Sequence, residues 1–182
     1  MSRLQVLPVF FDLECTSLNA NYGRLIGGCI KSYGEEVKSF RIDETKAGKK
    51  CNYDDSELAS NIRDALEGEF QIFGYNSVMF DMKFLDSRLL HHGLRPTTRP
   101  MHKDLLFVAK GVFQLSDNRL QTVQEHLKLD TSKTRLDPDQ WVGAAAGDKK
   151  CIDYVMEHCV ADVQVLEEVF ERLAPFVRVI YK

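Results

Sequence analysis

Three places in the sequence carry carboxylates in company that calls for a chemical reason. Asp12 and Glu14 stand two apart in Phe11-Asp12-Leu13-Glu14, at the end of a densely apolar run. Side chains alternate across a strand, so both acids point to one face while Phe11 and Leu13 point to the other. Like charges held side by side at the end of a buried strand raise each other's pKa, and desolvation adds to the cost. Divalent cations offset that cost directly, and oxygen ligands are what magnesium and manganese prefer; the plainer alternative is that the strand ends there and both acids face water. Asp81 falls in the first turn of a helical pattern that follows Gly74-Tyr75-Asn76. The helix dipole favours a carboxylate at that position, so capping alone could account for it. His158 and Asp162 are four apart in a mostly apolar helical pattern, hence one above the other on a single face. Asp162 needs a partner there, either His158 in a structural pair or a metal ion, with His158 handling an attacking water.

Several aromatic and scattered basic residues carry two readings each. Tyr75, Phe80 and Phe84 could stack on bases, although aromatics at this spacing serve more often in a core. Arg95, Arg99, Lys103, Lys133 and Arg135 are candidate phosphate binders, against the usual reading of scattered basic residues as solvated surface.

The elements that must position these residues are readable from periodicity. Residues 4–14 form a short, nearly continuous apolar run that suits a strand covered on both faces. Leu25–Ser32 and residues 37–42 read as a hairpin around Tyr33-Gly34, and residues 43–52 as a polar loop. Asp54 and Glu57 make a capping box ahead of a helix that Gly68 stops. Residues 71–75 read as a strand and 80–91 as a helix; the segment from His91 to Lys103, with its two prolines, reads as a basic loop. Helical patterns follow at 104–113, 119–127 and Pro138–Ala146, and a long amphipathic helix spans Lys149–Leu173 with Asp148 as its N-cap. Strands first and helices later give an α/β fold with a mixed sheet flanked by helices.

Composition narrows the class. A chain of 182 residues with 44% hydrophobic and 28% charged residues is ordinary for one globular domain, so residues 1–182 are read as a single unit. No stretch approaches the roughly 20 apolar residues of a membrane helix. The five cysteines include no C-x-x-C pair, which points to free thiols in the cytoplasm or another reducing compartment; a zinc site from Cys151, His158 and Cys159 matches no common spacing. The net charge of −3 is less basic than a pure nucleic-acid scaffold would be, but cations held by clustered acids can supply the positive charge.

In this order the three elements resemble those of the DEDD superfamily of 3′-to-5′ exonucleases, whose fold is ribonuclease H-like. FDLECTS (residues 11–17) and GYNSVMFDMKFL (74–85) are similar to the first two exonuclease motifs of B-family DNA polymerase proofreading domains and related stand-alone exonucleases. HCVADVQVLEEVFERLAP (158–175) is similar to the third. The resemblance runs from Val9 to Pro175 and implies a central mixed β-sheet flanked by α-helices. It makes Asp12, Glu14, Asp81 and Asp162 the acids that bind two Mg2+ or Mn2+ ions, with Asp12 bridging them. Thr16 and Asn76 match positions beside the site that help hold the substrate end. The implied reaction releases nucleoside 5′-monophosphates from single-stranded DNA or RNA with a free 3′ end. His158 departs from the pattern, because it stands four residues before Asp162, where one branch of the family has tyrosine and the other has histidine five before. A non-catalytic nucleic-acid-binding module on the same fold, and a ribonuclease H-type endonuclease, stay open as alternatives. So do the choice of DNA or RNA and docking to a polymerase, helicase or nucleoprotein.

Overall fold

A computed structural model describes residues 7–69, 71–98, 101–129 and 137–177. The opening apolar run forms β1 (Val9–Cys15); residues 4–6, also expected in that strand, lie outside the described residues. β2 (Leu25–Ser32) runs antiparallel to β1, and β3 (Lys38–Arg41) antiparallel to β2. The turn between β2 and β3 uses Gly34 at φ +75°, a left-handed conformation that glycine adopts without a steric penalty. β4 (Gln71–Gly74) lies parallel to β1 on its other side, and β5 (Met101–Asp104) lies parallel to β4. The strand order β3-β2-β1-β4-β5 makes β1 central, as its apolar density requires.

The α-helices among the described residues are α1 (Lys46–Lys50), α2 (Ser56–Leu66), α3 (Asp81–His91), α4 (Leu105–Val112), α5 (Leu120–Leu127), α6 (Pro138–Ala146) and α7 (Lys149–Leu173). The expected N-cap of α7 is in place, with Asp148 accepting from Cys151 N at 3.0 Å. Three expectations change. Residues 43–52 are not a plain loop, because Thr45 Oγ1 accepts from Gly48 N at 2.9 Å and caps the short helix α1. The capping box at Asp54 and Glu57 does not form. Asp55 is the N-cap residue of α2, and the Glu57 carboxylate instead accepts from Ala47 N at 2.9 Å. The basic segment after His91 contains β5, four residues with too little apolar alternation to announce a strand.

The two faces of the sheet bury separate clusters. Val9, Phe11 and Leu13 pack with Leu58 and Ile62 of α2 and Leu85 of α3. Phe10 and Phe73 pack with Leu105, Val123, and Val165, Val169 and Phe170 of α7. The Phe170 ring sits 4.8 Å from Phe73 and 5.4 Å from Phe10. Side chains alternate along β1, so Asp12 and Glu14 continue the Phe10 face beyond its apolar part. The middle of α7, which carries His158 and Asp162, is thereby carried past the polar end of that face.

A buried polar network locks the far side. Asp55 is fully buried and accepts from Leu25 N at 2.8 Å and from Arg88 Nε and Nη2 at 2.9 and 2.8 Å, with His92 Nε2 at 2.6 Å. Burial works against its charge, but these donors hold the carboxyl below its ordinary range. The start of β2 is thus fixed to α3. Among the described residues, no helix is long and apolar enough to cross a membrane, and all five cysteines are free thiols.

Candidate active site

Each acid reaches the site from a different element. Asp12 and Glu14 come from the last turn of the pleat in β1, just before a register shift against β2 between Glu14 and Cys15. Gly27 lies opposite Glu14 in that pairing, and a Cβ there would meet Met156 Sδ at 2.2 Å and Phe40 O at 2.7 Å. Glycine is required at this point for α7 to lie close on the sheet beside the acids.

Asp81 is set by the turn after β4. A Cβ at Gly74 would lie 2.0 Å from Ser77 Oγ, and Asn76 adopts φ 63°, so the chain doubles back tightly. Asp104 braces this turn, with its carboxylate accepting from Asn76 N at 2.8 Å, Val78 N at 3.1 Å and Leu106 N at 3.0 Å. The Asp81 carboxylate is not merely a helix cap. Pairing between β1 and β4 ends at Phe10 and Phe73, and Asp81 Oδ1 accepts the N–H of Leu13 at 3.2 Å where strand pairing has run out.

The result is a cleft of about 540 Å³ lined by Asp12, Glu14, Asp81 and Asp162, together with His158 and Trp141. Ligand atoms of Asp12, Glu14 and Cys159 lie within 4.8 Å of one another. The Cys159 thiol donates weakly to Asp12, at 3.6 Å from its carbonyl oxygen and 3.7 Å from Oδ2. Cys151 stands two helical turns away against Gly143, so Cys151, His158 and Cys159 do not gather around one ion. His158 is buried, with Nε2 3.9 Å from Asp162 Oδ2.

Electrostatics match that crowding. Burial pushes the Asp12 carboxyl well above its ordinary value, and the charges of Asp81, Glu14 and Asp162 push it further, in that order. Burial raises Asp81 to about 7, against the lowering effect of hydrogen bonds from its own N–H and that of Leu13. Ionising this set together is costly unless positive charge enters. An all-oxygen set of carboxylates suits a hard divalent cation, so the residues present fit such an ion.

The sequence-predicted contact residues divide. Thr16, Tyr75, Asn76 and Phe80 line the cleft. Thr16 Oγ1 accepts from Arg24 N at 3.1 Å, and Tyr75 donates its hydroxyl to Asn118 O at 2.6 Å. Phe84 does not line it; its ring lies in the core, 5.8 Å from that of Phe80. Arg95 is engaged by Glu67 at 2.7 Å, and Lys103 sits on β5 without lining the cleft; Arg99, Lys133 and Arg135 fall outside the described residues. Two residues escaped the sequence reading. Asp104 was legible only as a helix start, and Trp141 only as part of an amphipathic helix.

The family model described as RNase_H superfamily (RNase_H_2) matches residues 9–174. The chain belongs to the ribonuclease H superfamily. A solved structure with the same fold is the family B DNA polymerase from the hyperthermophilic archaeon Pyrobaculum calidifontis, with a TM-score of 0.73 and 17% identity over 94% of this chain and 25% of the polymerase chain. The chain therefore spans about a quarter of the length of that polymerase. A comparison with curated proteins finds no match. The ribonuclease H-like fold expected from the motifs is the fold found, and superfamily membership together with the acidic cluster supports nuclease activity that uses divalent metal ions.

Proposed function

We propose that this protein is a two-metal-ion 3′-to-5′ exonuclease that shortens single-stranded DNA or RNA to nucleoside 5′-monophosphates. One observation carries the reading. Four acids spread from position 12 to position 162 line a single cleft, and Asp12 feels the charge of the other three. A fold that gathered these groups without a cation would bear their repulsion for no return.

Asp12, Glu14, Asp81 and Asp162 hold the cations. When bound, two such ions lower the pKa of a water and stabilise the leaving 3′ oxygen. The water oxygen adds to phosphorus, the bond from phosphorus to the 3′ oxygen breaks, and that oxygen takes up a proton to become the new 3′ end. His158 orients the water and receives its proton. Thr16, Asn76, Tyr75 and Phe80 hold the terminal nucleotide, and the partner is a single strand with a free 3′ end.

A time course on end-labelled single-stranded DNA and RNA, in magnesium, manganese or chelator, tests the reading. Stepwise mononucleotide release that stops in chelator is expected. Oligonucleotide products, or cutting of a strand with a blocked 3′ end, would instead indicate an endonuclease, and binding without products in either metal would indicate a non-catalytic module.

A further inference from the structure

Trp141 is the sole tryptophan of the chain and lines the same cleft as the four acids, and none of the roles above uses it. It stands on α6, which is fixed at both ends. Asp137 caps the start, accepting from Asp139 N at 3.0 Å, and Pro138 occupies the first turn. Gly147 at φ 93° closes the end. Two C-terminal carbonyls are also held from outside the helix. Asn52 Nδ2 donates to Ala146 O at 2.9 Å, and the Arg24 guanidinium, 4.5 Å from the Tyr53 ring, donates to Ala145 O. Beneath, Ala144 is buried and a Cβ at Gly143 would come within 2.3 Å of Cys151 Sγ, so α6 lies tight on α7. The indole is half-buried, packing partly on the core and partly lining the cleft.

An indole adds nothing to cation binding, and an apolar plane beside like-charged acids does not ease their repulsion. It does offer a flat face to a base whose phosphate lies among those acids. We propose that Trp141 is the stacking platform for the base of the 3′-terminal nucleotide, a role that rests on the exonuclease reading. Phe80 reaches the same cleft from the turn ahead of α3, so aromatic surface comes from two independent elements. Stacking accepts any base, because every base has a π-face. That tolerance is what stepwise shortening of a strand of arbitrary sequence needs.

Binding can be read apart from catalysis, in calcium and over times in which the strand stays intact on a gel. The probes are a labelled oligothymidylate and the same strand ending in an abasic residue, followed by anisotropy. The base-bearing end is expected to quench the tryptophan emission of the parent chain, and the abasic end to leave it unchanged. Trp141→Leu should weaken binding of the base-bearing end by about 5- to 100-fold, leave the abasic end unaffected, and be rescued largely by Trp141→Phe. Equal affinity of parent and Trp141→Leu for the base-bearing end overturns the proposal, as does an equal loss for both ends, which marks a scaffold residue. If Trp141→Leu does not fold, quenching and the phenylalanine variant decide alone. Failure confined to this proposal leaves nucleotide release intact, whereas a parent that binds neither strand removes both readings.

Discussion

Replacing Asp81 by asparagine should stabilise the metal-free protein at alkaline pH while ending its nuclease activity. Burial raises the Asp81 carboxyl from 3.8 to about 7, so at pH 8 the metal-free fold carries an ionised group it would prefer neutral. A shift of about three units at ~1.4 kcal/mol per unit sets a ceiling of about 4 kcal/mol. Water entry and relaxation of the open cleft reduce this to about 2 kcal/mol. Because the folded pKa is raised, this group's contribution to stability is complete below its unfolded value near 4. It is lost as pH rises through about 7. The asparagine would carry no charge and would keep an oxygen for the Leu13 N–H now held at 3.2 Å. At ~2–4 °C per kcal/mol for a domain of this size, the variant should melt about 4–8 °C above the parent at pH 8 in chelator. The gap should narrow as pH falls below 7 and close only near pH 4. Asp12 is raised by burial and by the charges of Asp81, Glu14 and Asp162, and it leaves a residual slope of the same sign in both proteins, smaller in the variant. Magnesium or manganese should raise the melting temperature of the parent more than that of the variant. Melting curves across pH 5–8, with chelator and with metal, make the test. An Asp81→Asn protein that melts below the parent at pH 8 in chelator, or a parent with no steeper fall than the variant, refutes the reasoning.

Other perturbations probe the supports. His158→Tyr should change the acid limb of the pH–rate profile measured at saturating metal, and an unchanged limb removes His158 from the mechanism. Asp104→Ala takes the acceptor from three backbone N–H groups and should cost about 1–3 kcal/mol, with a fall in kcat as Asp81 loosens; denaturant unfolding and steady-state kinetics report both. Gly27→Ala drives a methyl into Met156 and the Phe40 carbonyl. It should destabilise by about 1–3 kcal/mol and weaken metal binding measured by calorimetry, because α7 must lift from the sheet beside Glu14.

What the sequence determined by itself is what neighbours in the chain encode. The apolar density of β1, the alternation that puts Asp12 and Glu14 on one face, and the 3.6-residue stripe of α7 are local periodicities. They were legible, and so was the need of Asp12, Glu14 and Asp162 for partners; the four acids as one set came from the resemblance of the motifs and not from these patterns. Tertiary structure decided the rest. Asp81 looked like a helix cap, but the parallel pairing of β1 with β4 stops at Phe10 and Phe73, and the orphaned Leu13 N–H recruits its carboxylate across 68 positions. Asp54 looked like the start of a capping box, yet its neighbour Asp55 is the buried one, because Arg88 and His92 arrive from another helix to satisfy it. β5 is too short and too polar to be a strand except beside β4, and Trp141 enters the cleft only because α6 docks on α7. Contacts of this kind depend on which surfaces meet when the core closes, and no window of adjacent residues contains that information.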